Sequence, residues 1–254
     1  MLLAACGPRS PSASGSGGAG ATERAYWAPP AIVSAQLDRT GGALISGTAR
    51  PGSTVLLATP QGAAGRAKVG SDGRWSLVLP PSPDVRLFGL SMLAPGRRLQ
   101  AEGYIALLPG AQAALLRAGA GAKVIEVHAP SGPRILAVDF DQGAGVSPVA
   151  AMISGLADPN SQVAILADER PLAMARASPA GRFSIPVTLI GGVHSFEAVE
   201  GPGRDAVDLA FNSAAPLAGA VFRARREGAA WRIDWLTPGG GEQSTVIFAP
   251  GAKG

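Results

Sequence analysis

Two carboxylates one residue apart, Asp139 and Asp141, stand in the run Leu136-Ala137-Val138-Asp139-Phe140-Asp141. In extended backbone, residues two apart share a face. Such a pair could serve as general acid and base in a hydrolase, or offer two oxygens to a metal ion. Asp168 and Glu169 are the acids that could join them. Against that reading, no EF-hand spacing occurs, and acids placed this way are usually turn and edge charges. The histidines, His128 and His194, fall in separate segments, neither with an orienting partner in a recognisable motif. Nucleophile-elbow, HExxH and Walker A patterns are missing from the sequence. We therefore expect no catalytic residue, no metal and no cofactor. The alternative is a hydrolase, or its accessory subunit, built on the Asp139/Asp141 strand.

A second chemical candidate is aromatic. Trp231-Arg232-Ile233-Asp234-Trp235 alternates with period two, which puts Trp231, Ile233 and Trp235 on one face of a strand. Rings in that arrangement can stack on sugars, so Trp231, Trp235 and Arg232 form the candidate ligand platform, with Arg223 able to flank it. The competing reading is a stripe that covers a core, because exposed apolar patches of this size are uncommon. Arg223, Arg225 and Arg226 read as a solvated edge that discourages strand pairing.

The 254 residues carry a formal charge of +4, and the basic residues are spread along the chain. The dense basic block of a nucleic-acid binder is absent, so no nucleic-acid partner is expected. Cys6 is the only cysteine, which excludes an intramolecular disulfide and a multi-cysteine metal site. No later stretch is apolar for the roughly 20 residues that a membrane-spanning helix needs. Membrane attachment, if any, must come from the N-terminal end.

That end reads Leu3-Ala4-Ala5-Cys6-Gly7, which resembles the bacterial lipobox: a leucine and two small residues before a cysteine that becomes diacylated. The resemblance implies lipidation at Cys6 and a membrane partner through the lipid. With glycine after the cysteine it implies outer-membrane anchoring, facing the periplasm. Gly7 to Ala21 is almost wholly Gly, Ser, Ala and Pro, too poor in apolar area to fold. As a flexible tether it would reach roughly 20–25 Å. A signal peptide needs a basic segment and about 7–15 apolar residues, yet only five residues precede Cys6. Either translation starts upstream of Met1 or the match is accidental.

The elements that would position these residues come from an internal repeat. Ile45-Ser46-Gly47-Thr48-Ala49-Arg50-Pro51-Gly52-Ser53-Thr54-Val55 aligns without a gap on Ile153-Ser154-Gly155-Leu156-Ala157-Asp158-Pro159-Asn160-Ser161-Gln162-Val163. The same register carries Gly73-Arg74-Trp75-Ser76 onto Gly181-Arg182-Phe183-Ser184, and Pro95-Gly96-Arg97 meets Pro202-Gly203-Arg204 one residue later. Proline followed by Gly or Asn suits a tight turn, and the short apolar runs after it suit core strands. The aromatic at 75 or 183 would fill the space between two sheets. Regular strand spacing without amphipathic helical patterns predicts an all-β fold of tandem β-sandwiches with a C-terminal antiparallel β-meander. Expected boundaries are 1–29 for the lipobox remnant and tether, 30–110 and 133–213 for the repeats, 111–132 for a connecting segment, and 214–254 for the meander.

This pattern resembles bacterial Ig-like modules of envelope and surface proteins. The second unit is similar to Ig-like domains that precede LysM peptidoglycan-binding domains, through Leu136 to Asp141, Leu166-Ala167-Asp168-Glu169-Arg170-Pro171-Leu172 and Gly192-Val193-His194-Ser195-Phe196. The resemblance covers roughly residues 30–213 and makes His194 structural. It implies a structural or interaction role in the cell envelope, with a protein, glycan or peptidoglycan partner. Between Trp231-Arg232-Ile233 and Thr245-Val246-Ile247-Phe248 the chain is too short and glycine-rich for the two helices of a LysM domain, so no peptidoglycan-binding residues carry over.

Overall fold

In the first repeat, apolar residues alternate with small or polar ones between glycine- and proline-marked turns, the sequence condition for half-buried strands. A computed structural model describes residues 27–125, 132–141 and 148–248. Cys6, the tether and His128 lie outside these residues. Module 1 contains β1 (Ala31–Leu37), β2 (Ala43–Thr48), β3 (Thr54–Thr59), β4 (Gly62–Lys68), β5 (Arg74–Leu79), β6 (Arg86–Ala94), β7 (Arg97–Leu107), β8 (Ala113–Leu116) and β9 (Lys123–Ile125). Its sheets are β1-β2-β5 and β4-β3-β6-β7-β8-β9.

Module 2 repeats the plan with β10 (Arg134–Asp141), β11 (Val149–Leu156), β12 (Gln162–Ala167), β13 (Arg170–Arg176), β14 (Arg182–Leu189), β15 (Val193–Glu200) and β16 (Gly203–Ala210). The meander follows as β17 (Phe222–Glu227), β18 (Ala230–Leu236) and β19 (Glu242–Ile247). Here the sheets are β14-β11-β10-β19-β18-β17 and β13-β12-β15-β16. In both modules the first, second and fifth strands face the fourth, third, sixth and seventh. That is the strand order of an Ig-like sandwich, all antiparallel.

The repeated residues have repeated jobs. Gly52 and Asn160 hold φ of 75° and 62° in the turns after Pro51 and Pro159, a region glycine and asparagine tolerate best. Trp75 and Phe183 are both buried in the sandwich cores. Each ring sits over a glycine of the neighbouring strand, Gly47 or Gly155, where a Cβ would run into it. The conserved spacing between Ser-Gly and the aromatic is thus a notch and the ring that fills it.

Two strand pairings join the parts of the chain. Residues 113–125 are more than a connection: β8 pairs with β7 and β9 with β8, which widens the module 1 sheet to six strands. The meander packs on module 2, because β19 pairs with β10, Val138 opposite Val246. Both additions build a third core. Along β7, Ile105 and Leu107 point into the core of module 1 while Ala106 points the other way. Ala106, Leu116 and Val124 meet Leu136, Ile233, Trp235 and Ile247 across a second apolar layer. The molecule is consequently a stack of four sheets of three, six, six and four strands, with a core between each neighbouring pair. The six-stranded sheets are buried on both faces, so near-continuous apolar runs replace alternation at their centres.

Candidate functional site

Asp139 lies on β10, on the face turned toward module 1, and is 3 % exposed. A buried carboxylate is tolerated only when its lone pairs are satisfied, and here they are. Thr245 Oγ1 and Gln243 Nε2 donate to Oδ1, the latter at 3.2 Å. The Ala122 backbone N–H donates to Oδ2 at 2.7 Å. The Trp235 indole N–H in turn donates to Thr245 Oγ1 at 3.0 Å. Burial pushes the Asp139 carboxyl up to about 6, although these hydrogen bonds work in the opposite direction. The network ties β10, β18 and β19 of module 2 to the β8–β9 loop of module 1.

Asp141, two residues on, is exposed. Both acids line a cleft of about 440 Å³ with Gly119, Gly121, Met152 and Gln243, and among the described residues no third acid lines it. Among the described residues no group of three His, Cys, Asp or Glu is placed to hold a metal ion. Asp139 acts as a hydrogen-bond hub inside an interface, a structural role for one of the two acids on which the enzyme alternative was based.

The aromatic platform is corrected as well. Trp231, Ile233 and Trp235 do share a face, but that face is the third core: Ile233 and Trp235 are fully buried and Trp231 is partly covered. Tyr104 of module 1 packs edge-on against Trp235 at 5.8 Å between centroids. Trp235 therefore offers no open ring face on which a sugar could stack. Arg232 is also fully buried, on the opposite face, with its guanidinium 5.1 Å from the Phe140 ring. Its Nε donates to Asp234 Oδ1 at 2.8 Å and its Nη2 to Ser244 Oγ at 3.0 Å. Asp234 further accepts from Ser244 Oγ at 2.7 Å and from Arg225 Nη1 at 2.9 Å.

β17, which carries Arg223, Arg225 and Arg226, is the edge strand of its sheet, and Arg226 is exposed, as the sequence suggested. Arg225 pairs with Glu227 and Asp234, Arg223 donates to the carbonyls of Ala215 and Pro216, and Arg226 reaches over Trp231 at 5.3 Å. His194 stands between Asp168 Oδ2 and the Ile190 carbonyl, each 2.7 Å from a ring nitrogen. Both nitrogens of His194 are thus occupied within module 2.

One feature had no counterpart in the sequence reading. Trp27, just before β1, lies under two guanidinium groups, Arg50 at 3.7 Å and Arg97 at 5.0 Å from the ring centroid. Such contacts are attractive through the ring quadrupole. They fix the point at which the N-terminal chain joins module 1. Only the tertiary fold brings these residues together, so spacing offered no signal.

No family model and no curated protein matches the chain. Among solved structures it is similar to a chain described as "Biofilm associated protein - BSP domain", at 17 % identity over 73 % of this chain, with a TM-score of 0.23. The chain spans 30 % of that protein's length. It is also similar to the "Central Fibronectin-III array of RIM-binding protein", at 13 % identity over 86 % of this chain and 89 % of that one, with a TM-score of 0.25. The assignment of the fold rests on strand order and cores, to which scores this low add nothing.

Proposed function

We propose that the chain is a non-catalytic cell-envelope lipoprotein, anchored through Cys6, whose fused Ig-like modules act as a structural and interaction unit. The observation that carries this reading is the four-layer stack held by three cores, with Trp27, just before β1, held on module 1 by Arg50 and Arg97. A body so built can hold a surface at a distance from a membrane. No described helix is long and apolar enough to cross a membrane, so in this reading the lipid on Cys6 supplies attachment, facing the periplasm from the outer membrane. With the tryptophan stripe inside the protein, an envelope protein is a better partner than a glycan.

Fractionation of cells expressing the gene with its genomic upstream region tests the reading, comparing wild type with Cys6→Ser. Wild type in the outer membrane and the variant soluble in the periplasm is the expected result. Both forms soluble in the cytoplasm would overturn it.

A further inference from the structure

The duplication allows one surface to be compared with its own copy. In module 2 the outer face of β10, β11 and β14 is covered by the β8–β9 edge of module 1. Arg182 Nη1 donates to the Val124 carbonyl at 3.0 Å. Gly121, at φ 79°, lies on the Ser154 and Ser184 hydroxyls so closely that a Cβ would collide with both. Leu136, at the bulge of β10, is 1 % exposed beneath the same edge.

Module 1 carries the same surface in the same register. Ser46, Arg74 and Ser76 stand where Ser154, Arg182 and Ser184 stand, and Val33 occupies the equivalent bulge in β1. Among the described residues nothing covers it. Val33 is 58 % exposed, Val78 on β5 of the same sheet 53 %, and the Arg74 side chain approaches only the exposed Asp72, at 3.8 Å. A groove of about 620 Å³ runs along Val33, Ser46, Arg74 and Ser76, against about 320 Å³ where module 1 fills the copy. Trp75 also lines it, and its buried indole N–H has no acceptor, whereas Phe183 in the filled copy carries no such donor.

We propose that the outer face of β1, β2 and β5 is the receiving half of a second module–module joint. Its occupant is the edge of an Ig-like module other than the two in this chain, built like β8–β9. That edge presents a main-chain carbonyl to Arg74 and a glycine turn to Ser46 and Ser76, and it buries Val33. The β8–β9 edge of the chain itself cannot serve, because module 2 already holds it. This proposal deepens the interaction-module reading by naming its surface and partner, and it does not depend on Cys6.

The test places a second copy of residues 27–133 directly ahead of Ala31 in the full chain, so that the added copy precedes β1 as module 1 precedes β10. Arg182→Ala in the natural chain should lower the melting temperature by about 2–4 °C, as loss of one interface hydrogen bond does in a domain of this size. Arg74→Ala should leave the natural chain unchanged and lower the extended chain by a similar amount. An extended chain indifferent to Arg74→Ala would overturn the proposal.

Because the added copy could fail to fold, a photo-cross-linking residue at Ser76 of the natural chain in producing cells gives an independent reading. A cross-linked peptide from a strand edge of another β-sandwich module supports the joint. A peptide from residues 1–26 of the same chain, one from any other structure, or none at all overturns it. Neither measurement bears on membrane attachment, so failure here and failure of the anchored reading are separable.

Discussion

At the scale of single residues, two buried or half-buried titrating groups are held by contacts that a pH series can read. His194 accommodates Asp168 and the Ile190 carbonyl together only when both ring nitrogens carry protons. Burial disfavours the imidazolium, but these two acceptors outweigh it and raise the His194 value above the usual one. A raised value means that the stabilisation is complete below the ordinary histidine range and is lost as pH climbs through the folded-state value. The melting temperature of wild type relative to His194→Gln should therefore fall between roughly pH 6 and 8, and a flat difference across that window would contradict the assignment. Asp139 has the same sign in a lower window. Its carboxyl is raised to about 6, so its stabilisation relative to Asp139→Asn should decline from about pH 4 to 6 and stay level above. Asp139→Ala leaves the Ala122 N–H and the Gln243 amide facing no acceptor, at a cost of about 1–3 kcal/mol, which urea unfolding at pH 7 would measure. The sequence exposed Asp139 as a residue of interest through its strand position. It could not reveal that Thr245 and Gln243, more than a hundred positions away, would satisfy it.

At the scale of elements, the strands and their faces were largely legible, and the partners of the faces were not. Period-two alternation correctly put Trp231, Ile233 and Trp235 together, because alternation is a local property of extended backbone. Whether that face met solvent or protein depended on β8 and β9, short strands that from their Gly- and Ala-rich surroundings read as a connection. The opposite face of β18 depends on its partners in the same way: Arg232, a candidate platform residue in sequence, and Asp234 are both fully buried. Burial works against the Asp234 charge, but Ser244 and the guanidinium groups of Arg232 and Arg225 prevail and hold its carboxyl below the usual range. Removing one member of a buried ion pair strands the other. Asp234→Ala should cost about 3–5 kcal/mol, whereas replacing Arg232 and Asp234 together by Met and Leu should cost far less. Equilibrium unfolding of the single and double variants checks this. Equal losses in the two would mean that packing alone, and not the stranded charge, sets the penalty.

At the scale of the whole molecule, the repeat made two sandwiches legible, but tandem sandwiches on a string and a single four-sheet stack share that sequence signature. What distinguishes them is the third core, to which each module contributes residues that its own sandwich does not use. Inter-domain surfaces within a chain default to relative motion unless they are large and apolar, and here the apolar condition is met by Ala106, Leu116 and Val124 against Ile233, Trp235 and Ile247. Coupling of this kind should make the modules unfold together. Trp235 is the residue on which to test it, since it is fully buried between the modules, packs on Tyr104 and belongs to neither sandwich core. Truncating a buried tryptophan to alanine costs about 3–5 kcal/mol through lost transfer energy and the cavity left behind. Because that loss falls on the joint and not on the cores flanking it, Trp235→Ala should convert one calorimetric transition into two, with the cores around Trp75 and Phe183 melting separately. Wild type should show equal calorimetric and van't Hoff enthalpies, the signature of all-or-none unfolding. A wild type that already melts in two steps would mean that the third core is too weak to couple the modules, and a single transition persisting in Trp235→Ala would move the coupling to the Asp139 network.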